Sequence, residues 1–167
     1  PLRGRPLLKM RDRGMDHSSM AGMGGMEMDH SGMSMRDGRN APSVALGPGV
    51  QMISPMPVDR TGDPGQGLEN VGHKVLTYRD LVSLDPNPDP RPPSRELEIH
   101  LTGNMERFMW AFDGVSYSHI KAPIPFRFNE RVRVVLVNDS MMAHPIHLHG
   151  HFYEVVTGNP GHHPRKH

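Results

Sequence analysis

The clearest pattern in the chain is a strict alternation of polar and apolar residues from Arg95 to Leu101. On an extended strand, Leu97, Ile99 and Leu101 fall on one face, and the polar residues fall on the other. We therefore predict a strand whose apolar face meets a core. His100 lies on the polar face, so we expect it to face solvent.

Two further stretches complete a set of short strands. Residues 108–112 are rich in aromatic side chains and are followed by Asp113-Gly114, a pair typical of hairpin turns. Residues 131–137 start as an alternating strand and become apolar on both faces, which predicts a central strand. Its inward positions are Val132, Val134 and Leu136, and Val135 and Val137 make the second face apolar.

Weaker strand signals lie on either side of this region. Residues 74–78 and 152–156 each favour a strand, and residues 78–84 favour a helical turn. Several short strands at regular spacing are typical of an all-β sandwich. We therefore predict the all-β fold class.

The main chemical signal is the run His144-Pro145-Ile146-His147-Leu148-His149-Gly150, which holds three imidazoles in six residues. Neutral imidazole is the commonest protein ligand for copper and zinc. If the run is a strand, His147 and His149 share one face, and Ile146 and Leu148 point to a core on the other. His144 has the opposite parity and is expected to serve a different site.

The simpler explanation of the three histidines is that they are exposed and have no function, because histidines in a row are often simply solvated. Here they alternate with apolar residues and follow Met141 and Met142. These neighbours favour ligand histidines.

The motif resembles the histidine motif in the C-terminal cupredoxin domain of multicopper oxidases, in particular the branch of copper-resistance protein A. The resemblance covers nearly the whole chain. The other segments that carry it are Leu101-Thr102-Gly103-Asn104-Met105-Glu106-Arg107-Phe108-Met109-Trp110, Phe112-Asp113-Gly114, Leu136-Val137-Asn138-Asp139 and Pro164-Arg165-Lys166-His167.

The resemblance implies a cupredoxin-like Greek-key β-sandwich, and copper as the cofactor. It implies that His144 ligates a type 1 copper, His147 a type 2 copper and His149 a type 3 copper. It also implies a periplasmic location. By comparison with the family, we expect the sandwich to be incomplete at its C-terminal end, because the chain stops before the His-Cys-His segment of that branch.

The chain has no cysteine, and this absence limits the kinds of metal site and cross-link that it can form. It excludes disulfides, thiolate zinc sites and iron–sulfur clusters within the chain. A blue type 1 copper needs a cysteine thiolate beside two histidines. We therefore expect this chain not to be blue.

Composition gives no case for other partners. The net charge of +1 does not favour nucleic acid or an anionic membrane, and no apolar run is long enough to span a bilayer. No signal peptide is visible behind the basic residues of the N-terminus. With 35% hydrophobic residues, 18 glycines and 17 prolines, the core must occupy only part of the chain.

Three regions follow from these shifts in composition. Residues 1–40 form a long, irregular methionine-rich segment, 41–93 a connector rich in proline and glycine, and 94–167 a partial cupredoxin-like domain. The methionines of the first region interleave with two Asp-His-Ser repeats, and thioether sulfur is a soft ligand that suits Cu(I). A flexible linker is the alternative to a weak copper-recruiting role. The methionines are Met10, Met15, Met20, Met23, Met26, Met28, Met33 and Met35.

The histidines outside the motif are weaker candidates. We expect His151 at the rim of the site, and His162, His163 and His167 in a mobile, exposed tail that could supply a labile copper site. The carboxylates show no paired arrangement for acid–base catalysis.

These observations leave three functions open. The first is a laccase-like or polyphenol oxidase, which oxidises a phenolic substrate with dioxygen at a histidine-ligated copper, in a homo-oligomer whose copies complete the site. The second is a copper-binding or sequestration module in copper resistance that has no turnover. The third is an inert fragment of a larger oxidase. The resemblance favours the first, while the residues alone support copper binding through His144, His147 and His149.

Overall fold

The computed structural model describes residues 35–65 and 67–166. These residues form two compact units. The sheet unit comprises residues 35–58 and 91–144, and the ribbon unit comprises 59–65, 67–90 and 145–166. Nearly all of the methionine-rich segment lies outside the described residues, so its copper-recruiting role stays a prediction. The predicted boundaries of the three regions also stay predictions.

The sheet unit is built on a four-stranded sheet. Its strands are β1 (Arg95–Asn104), β2 (Met109–Phe112), β3 (Val115–Ser116) and β4 (Val132–Asn138), in the order β3-β2-β1-β4. Strand β1 pairs antiparallel with β2 and parallel with β4, and β2 pairs antiparallel with β3. The strand predicted from the alternation in residues 95–101 is confirmed.

The predicted hairpin is also confirmed, and its turn explains the sequence. Asp113 and Gly114 both have positive φ, 50° and 78°. Two consecutive left-handed residues are the requirement of the tight turn whose twist matches the strands it joins, and Asp-Gly meets that requirement at low cost. The Asp113 carboxylate also accepts a hydrogen bond from the amide of His100 at 2.9 Å.

Residues 131–137 were predicted to form a central strand. A strand does form there, but its predicted place at the centre of the sheet is wrong. Among the described residues, β4 pairs with β1 alone and lies at an edge of the sheet. The predicted inward positions are also wrong, because Val134 and Leu136 are 40% and 42% exposed whereas Val137 is buried. Both faces of β4 are apolar, but in this unit only the face of Val137 is covered.

Strand β1 is buried on both faces toward its C-terminal end. Ile99 and Leu101, predicted to meet a core, are buried, while Leu97 is half-buried. On the opposite face of the sheet, which was predicted to be polar along β1, the buried residues are His100, Thr102, Ala111 and Val137. The region 41–53, predicted as part of a connector, supplies a buried apolar cluster and packs Gly49 against Ala111. The cluster consists of Ala41, Val44, Val50 and Ile53.

The expectation that His100 faces solvent is wrong, because the residue is only 1% exposed. Its Nδ1 lies 2.7 Å from the Asp139 carboxylate, and its Nε2 lies 3.2 Å from that of Glu98. Asp139 is itself 1% exposed. A buried polar side chain must find hydrogen-bond partners, and this pair satisfies that requirement within the core.

The ribbon unit contains a two-stranded antiparallel ribbon of β5 (Tyr153–Glu154) and β6 (Arg165–Lys166). Strand β5 falls inside the predicted strand 152–156, whereas β6 was not predicted. The predicted strand at 74–78 is wrong. A 3₁₀ turn at Tyr78–Asp80 lies inside the predicted helical stretch, and two more occur in the sheet unit, at Gly38–Asn40 and Tyr117–His119.

The fold class is therefore all-β, as predicted, and in the described part of the chain only short 3₁₀ turns accompany the strands. Within residues 35–65 and 67–166, no helix has the length and apolarity that crossing a membrane requires.

Candidate metal centre

His147 and His149 come together in the ribbon unit. Their ring centroids lie 4.8 Å apart with the ring planes at 74°, and both side chains are exposed. The predicted sharing of one side by the two imidazoles is therefore observed. The predicted strand is not, because residues 143–148 are irregular and a turn begins at His149.

The aliphatic neighbours of the pair also differ from expectation. Leu148 is 41% exposed and Ile146 is half-buried, so neither fills a core. The Tyr153 hydroxyl donates a hydrogen bond to the Ile146 carbonyl at 3.4 Å. Gly150 then takes a φ of 75°, which ends the extended run at a position that suits glycine.

The pair fits a metal ion by its donor chemistry and spacing. Metal–imidazole bonds are about 2.0 Å long. An ion between two rings whose centroids are 4.8 Å apart is therefore within reach of both. Imidazole nitrogen suits copper, zinc, iron and nickel, so the pair alone does not select the metal.

His144 belongs to the sheet unit and has a different environment. Its ring is half-buried and meets the Trp110 ring nearly edge-on, with centroids 4.7 Å apart and planes at 86°. Its Nε2 lies 2.6 Å from the Ser140 hydroxyl. Burial lowers the pKa of His144 below its ordinary value, which favours the neutral form that binds metals.

Sequence analysis missed the residues that surround His144. The signal that could have revealed them is Asn138-Asp139-Ser140 at the end of β4, since short polar residues there tend to bond the local backbone. Asn138 does so, accepting from the Ser140 amide at 2.9 Å and donating to the Met142 carbonyl at 2.6 Å.

The remaining histidines differ in part from expectation. His151 is exposed, as a rim position requires. His162 and His163 were expected in an exposed, mobile tail, but both are half-buried and hydrogen-bonded. His162 Nδ1 lies 3.0 Å from the Ser83 carbonyl, and His163 Nδ1 accepts from the Thr157 amide at 3.2 Å. His167 lies outside the described residues.

No group of three or more His, Cys, Asp or Glu side chains is placed to hold a metal ion within the described ranges. The His147–His149 pair therefore offers two metal-binding groups, which is fewer than a full coordination shell needs.

Comparison with known proteins relates the chain to copper proteins. Residues 90–167 match the family model of multicopper oxidases. The chain is 44% identical to the Copper resistance protein A homolog of Pseudomonas syringae pv. tomato, in an alignment covering all of this chain and 32% of that protein. It is 46% identical to Copper resistance protein A of Escherichia coli, again over the whole chain and 34% of the relative.

A more distant relative is the Multicopper oxidase MmcO of Mycobacterium tuberculosis, 37% identical over 41% of this chain and 14% of that protein. No solved structure matches the chain. The chain spans about a third of the length of the two copper resistance proteins. The family and the names of these relatives indicate copper as the cofactor and a cupredoxin-like fold for the strands described above. Residues 90–167 therefore belong to the multicopper oxidase family.

Proposed function

We propose that this chain is a copper-binding oxidoreductase of the laccase type, in which His147 and His149 ligate copper as a pair and His144 ligates copper separately. The observation that carries the proposal is the placement of the two exposed rings, 4.8 Å apart on one side of the chain. The match to multicopper oxidases supports copper as the ion that this pair selects.

The exposure of the pair suits a reaction with small molecules. A copper ion held by His147 and His149 would supply one-electron redox chemistry, in which four phenols each give up one electron and one hydroxyl proton and one dioxygen is reduced to two waters. The role of the two histidines is to hold the ion as neutral imidazoles while leaving it open to solvent. Their exposure lets phenol and dioxygen approach from the same side.

Two imidazoles do not complete a copper site, and among the described residues no third His, Cys, Asp or Glu side chain joins them. We propose a second copy of this chain as the source of the remaining ligands. A histidine-only site of this kind needs no thiolate, which agrees with the absence of cysteine from the sequence. By the same family likeness, the protein is proposed to work in the periplasm, which cell fractionation would test.

The test compares the unmutated chain with the double variant His147→Ala, His149→Ala and with His73→Ala, a matched loss of an exposed histidine outside the motif. Copper binding is followed by calorimetry and electron paramagnetic resonance, and turnover by oxygen uptake with a methoxyphenol. We expect a copper signal without blue colour, and expect turnover and the share of copper held by the pair to be lost in the double variant alone.

The outcomes separate the candidate functions. Copper binding without oxygen uptake would replace the oxidase by a sequestration module, which is the second candidate because the pair lacks a third ligand among the described residues. Equal binding by the double variant and the unmutated chain would refute ligation by the pair. A strict monomer in light scattering that still oxidises the phenol would refute completion by a second copy.

A further inference from the structure

Strand β4 has one edge to which no strand pairs in the described part of the chain. Its seven residues are all in register with β1, from Val132 opposite Arg95 to Asn138 opposite Leu101. Its other edge is the boundary of the sheet. The backbone N–H and C=O groups along such an edge form a template on which another strand can pair.

The strand also lacks the features that usually prevent such pairing. Natural edge strands are often very short, or carry proline, bulges or inward-pointing charges. Strand β4 contains no proline and has a single charged side chain, Arg133. Arg133 lies 3.8 Å from the Glu96 carboxylate of β1, so its charge is directed toward its own sheet. The opposite edge strand, β3, is only two residues long, so β4 offers the longer edge for pairing.

One side of β4 is apolar and partly uncovered. Val134 and Leu136 point to the same side and are 40% and 42% exposed. Their neighbours in register on β1 are Leu97 and Ile99, which extend the apolar surface into the sheet. A strand that paired with the free edge and carried apolar residues at the matching positions would remove Val134 and Leu136 from water.

The sequence of β4 is itself such a strand. When two copies pair antiparallel with Val135 opposite Val135, all seven residues find a partner. Val134 of each copy then lies opposite Leu136 of the other copy, on the same side of the joined sheet. Arg133 lies opposite Val137, so the two arginines are kept apart. Any other antiparallel centre shortens the overlap of the two strands.

This symmetry favours a second copy over an unrelated strand. The edge needs apolar residues opposite both Val134 and Leu136 and an uncharged residue opposite Arg133, and β4 meets all three needs when it pairs with itself. The backbones would also gain about six to eight hydrogen bonds, because each hydrogen-bonded pair of an antiparallel ladder exchanges two.

We propose that the free edge of β4 is the interface through which two copies of this chain associate, with β4 paired antiparallel to β4 about Val135 so that the two sheets become one. The inference deepens the proposed function and rests on it for the need of a second copy. The pairing itself requires no copper, so the metal-free chain tests it.

Size-exclusion chromatography with light scattering on the full metal-free chain measures the association over a dilution series. We expect twice the mass of one chain for the unmutated protein. Val134→Lys should raise the dissociation constant more than about 100-fold, because the symmetry brings a charged group against Leu136 at two places.

Val115→Lys is the matched control. It makes the same chemical change on β3, at the other edge of the sheet, where Val115 is 37% exposed. It should leave the dissociation constant unchanged. A monomeric unmutated chain at every concentration would overturn the interface, as would equal weakening by the two substitutions.

Single cysteines test the register, because the chain has none of its own. In Val135→Cys the two thiols face each other, and the opposed Cα atoms of an antiparallel pair, about 4.5–5.5 Å apart, suit a disulfide. Mild oxidation should therefore link this variant as a dimer. In Arg133→Cys the two thiols are four positions apart along the strands, about 13 Å, and should stay unlinked. Equal linking of both variants, or of neither, would overturn the pairing about Val135.

The interface and the proposed function fail in different ways. If the metal-free chain dimerises as expected but neither binds copper nor takes up oxygen, the proposed function fails and the interface stands. If the copies associate only after copper is added, the β4 interface is overturned, while completion of the copper site by a second copy survives.

Discussion

Removal of the Asp139 carboxylate is the most informative single perturbation of this fold. Asp139 and His100 are each 1% exposed, and they belong to segments separated by 39 positions in sequence. The carboxylate also accepts the Ser54 amide at 2.9 Å. One side chain therefore joins the end of β4 to β1 and to the chain segment that covers the sheet.

The size of the effect follows from the groups left behind. Asp139→Ala leaves the Ser54 amide and His100 Nδ1 without partners in a site that water enters poorly. Each unsatisfied buried group costs about 1–3 kcal/mol, so the two together cost about 2–6 kcal/mol. Small domains have total stabilities of about 5–15 kcal/mol, so the loss would be a large part of the whole.

Asp139→Asn separates hydrogen bonding from charge. Its amide oxygen can accept from Ser54, and its nitrogen can donate to His100 Nδ1. The ring proton then lies on Nε2, which faces Glu98 at 3.2 Å. Because every group keeps a partner, we expect a clearly smaller loss than for alanine.

Urea unfolding at pH 7 measures these losses through the fluorescence of Trp110, the only tryptophan, which lies in the sheet unit. Glu96→Ala provides a control in the same unit, because it removes a carboxylate from an exposed ion pair with Arg133. Such pairs contribute less than about 1 kcal/mol. If Asp139→Ala is no more destabilising than Glu96→Ala, the buried network does not stabilise the fold.

Two further predictions test the loops. Gly114→Ala should cost about 2–5 kcal/mol, because the new Cβ would lie 2.1 Å from the Ala45 carbonyl oxygen, in addition to the strain of a positive φ. Gly72→Ala, with a similar φ and nothing within 4 Å of its Cβ, should cost much less. Urea unfolding followed by circular dichroism measures both losses, because Gly72 lies in the ribbon unit, away from the Trp110 probe. The pKa of Asp80 is lowered to about 2, above all by the hydrogen bond from Lys74. This folded-state value lies below the ordinary 3.8, so the contact adds stability above that pH and loses it as pH falls toward 2. A carboxyl titration followed by NMR should show the low midpoint, and Lys74→Met should raise it; a midpoint at the ordinary value in the unmutated chain would contradict the ion pair.

The parts of the fold that sequence predicts well are those fixed by local rules. The alternation in residues 95–101 determines a strand, and Asp113-Gly114 determines its own turn, because backbone preference there depends only on the two residues. The strand at 74–78 fails for the complementary reason. An apolar run becomes a strand only if another segment pairs with it, and among the described residues none does.

Burial is less predictable, because it depends on which segments meet. The alternation places His100 on the polar face of β1, and polar faces are usually exposed. Here Asp139 and Glu98 satisfy the ring, while a chain segment about fifty residues earlier covers the face. Nothing in the local pattern indicates either event. The placement of Val134 and Leu136 on the uncovered side has the same cause.

In the histidine motif, some features follow from the local sequence and others depend on which segments meet. Spacing of two residues along an extended chain brings His147 and His149 to one side, and this holds although no strand forms there. The pair is therefore a local property of the sequence. The hydrogen bond at His144 is nearly as local, since Ser140 lies only four residues away. The completion of a copper site cannot be predicted from local sequence, because it needs ligands that these residues do not supply. Sequence can thus nominate the histidines that this chain would contribute to such a site, while their role as ligands and the source of the remaining ligands have to be measured.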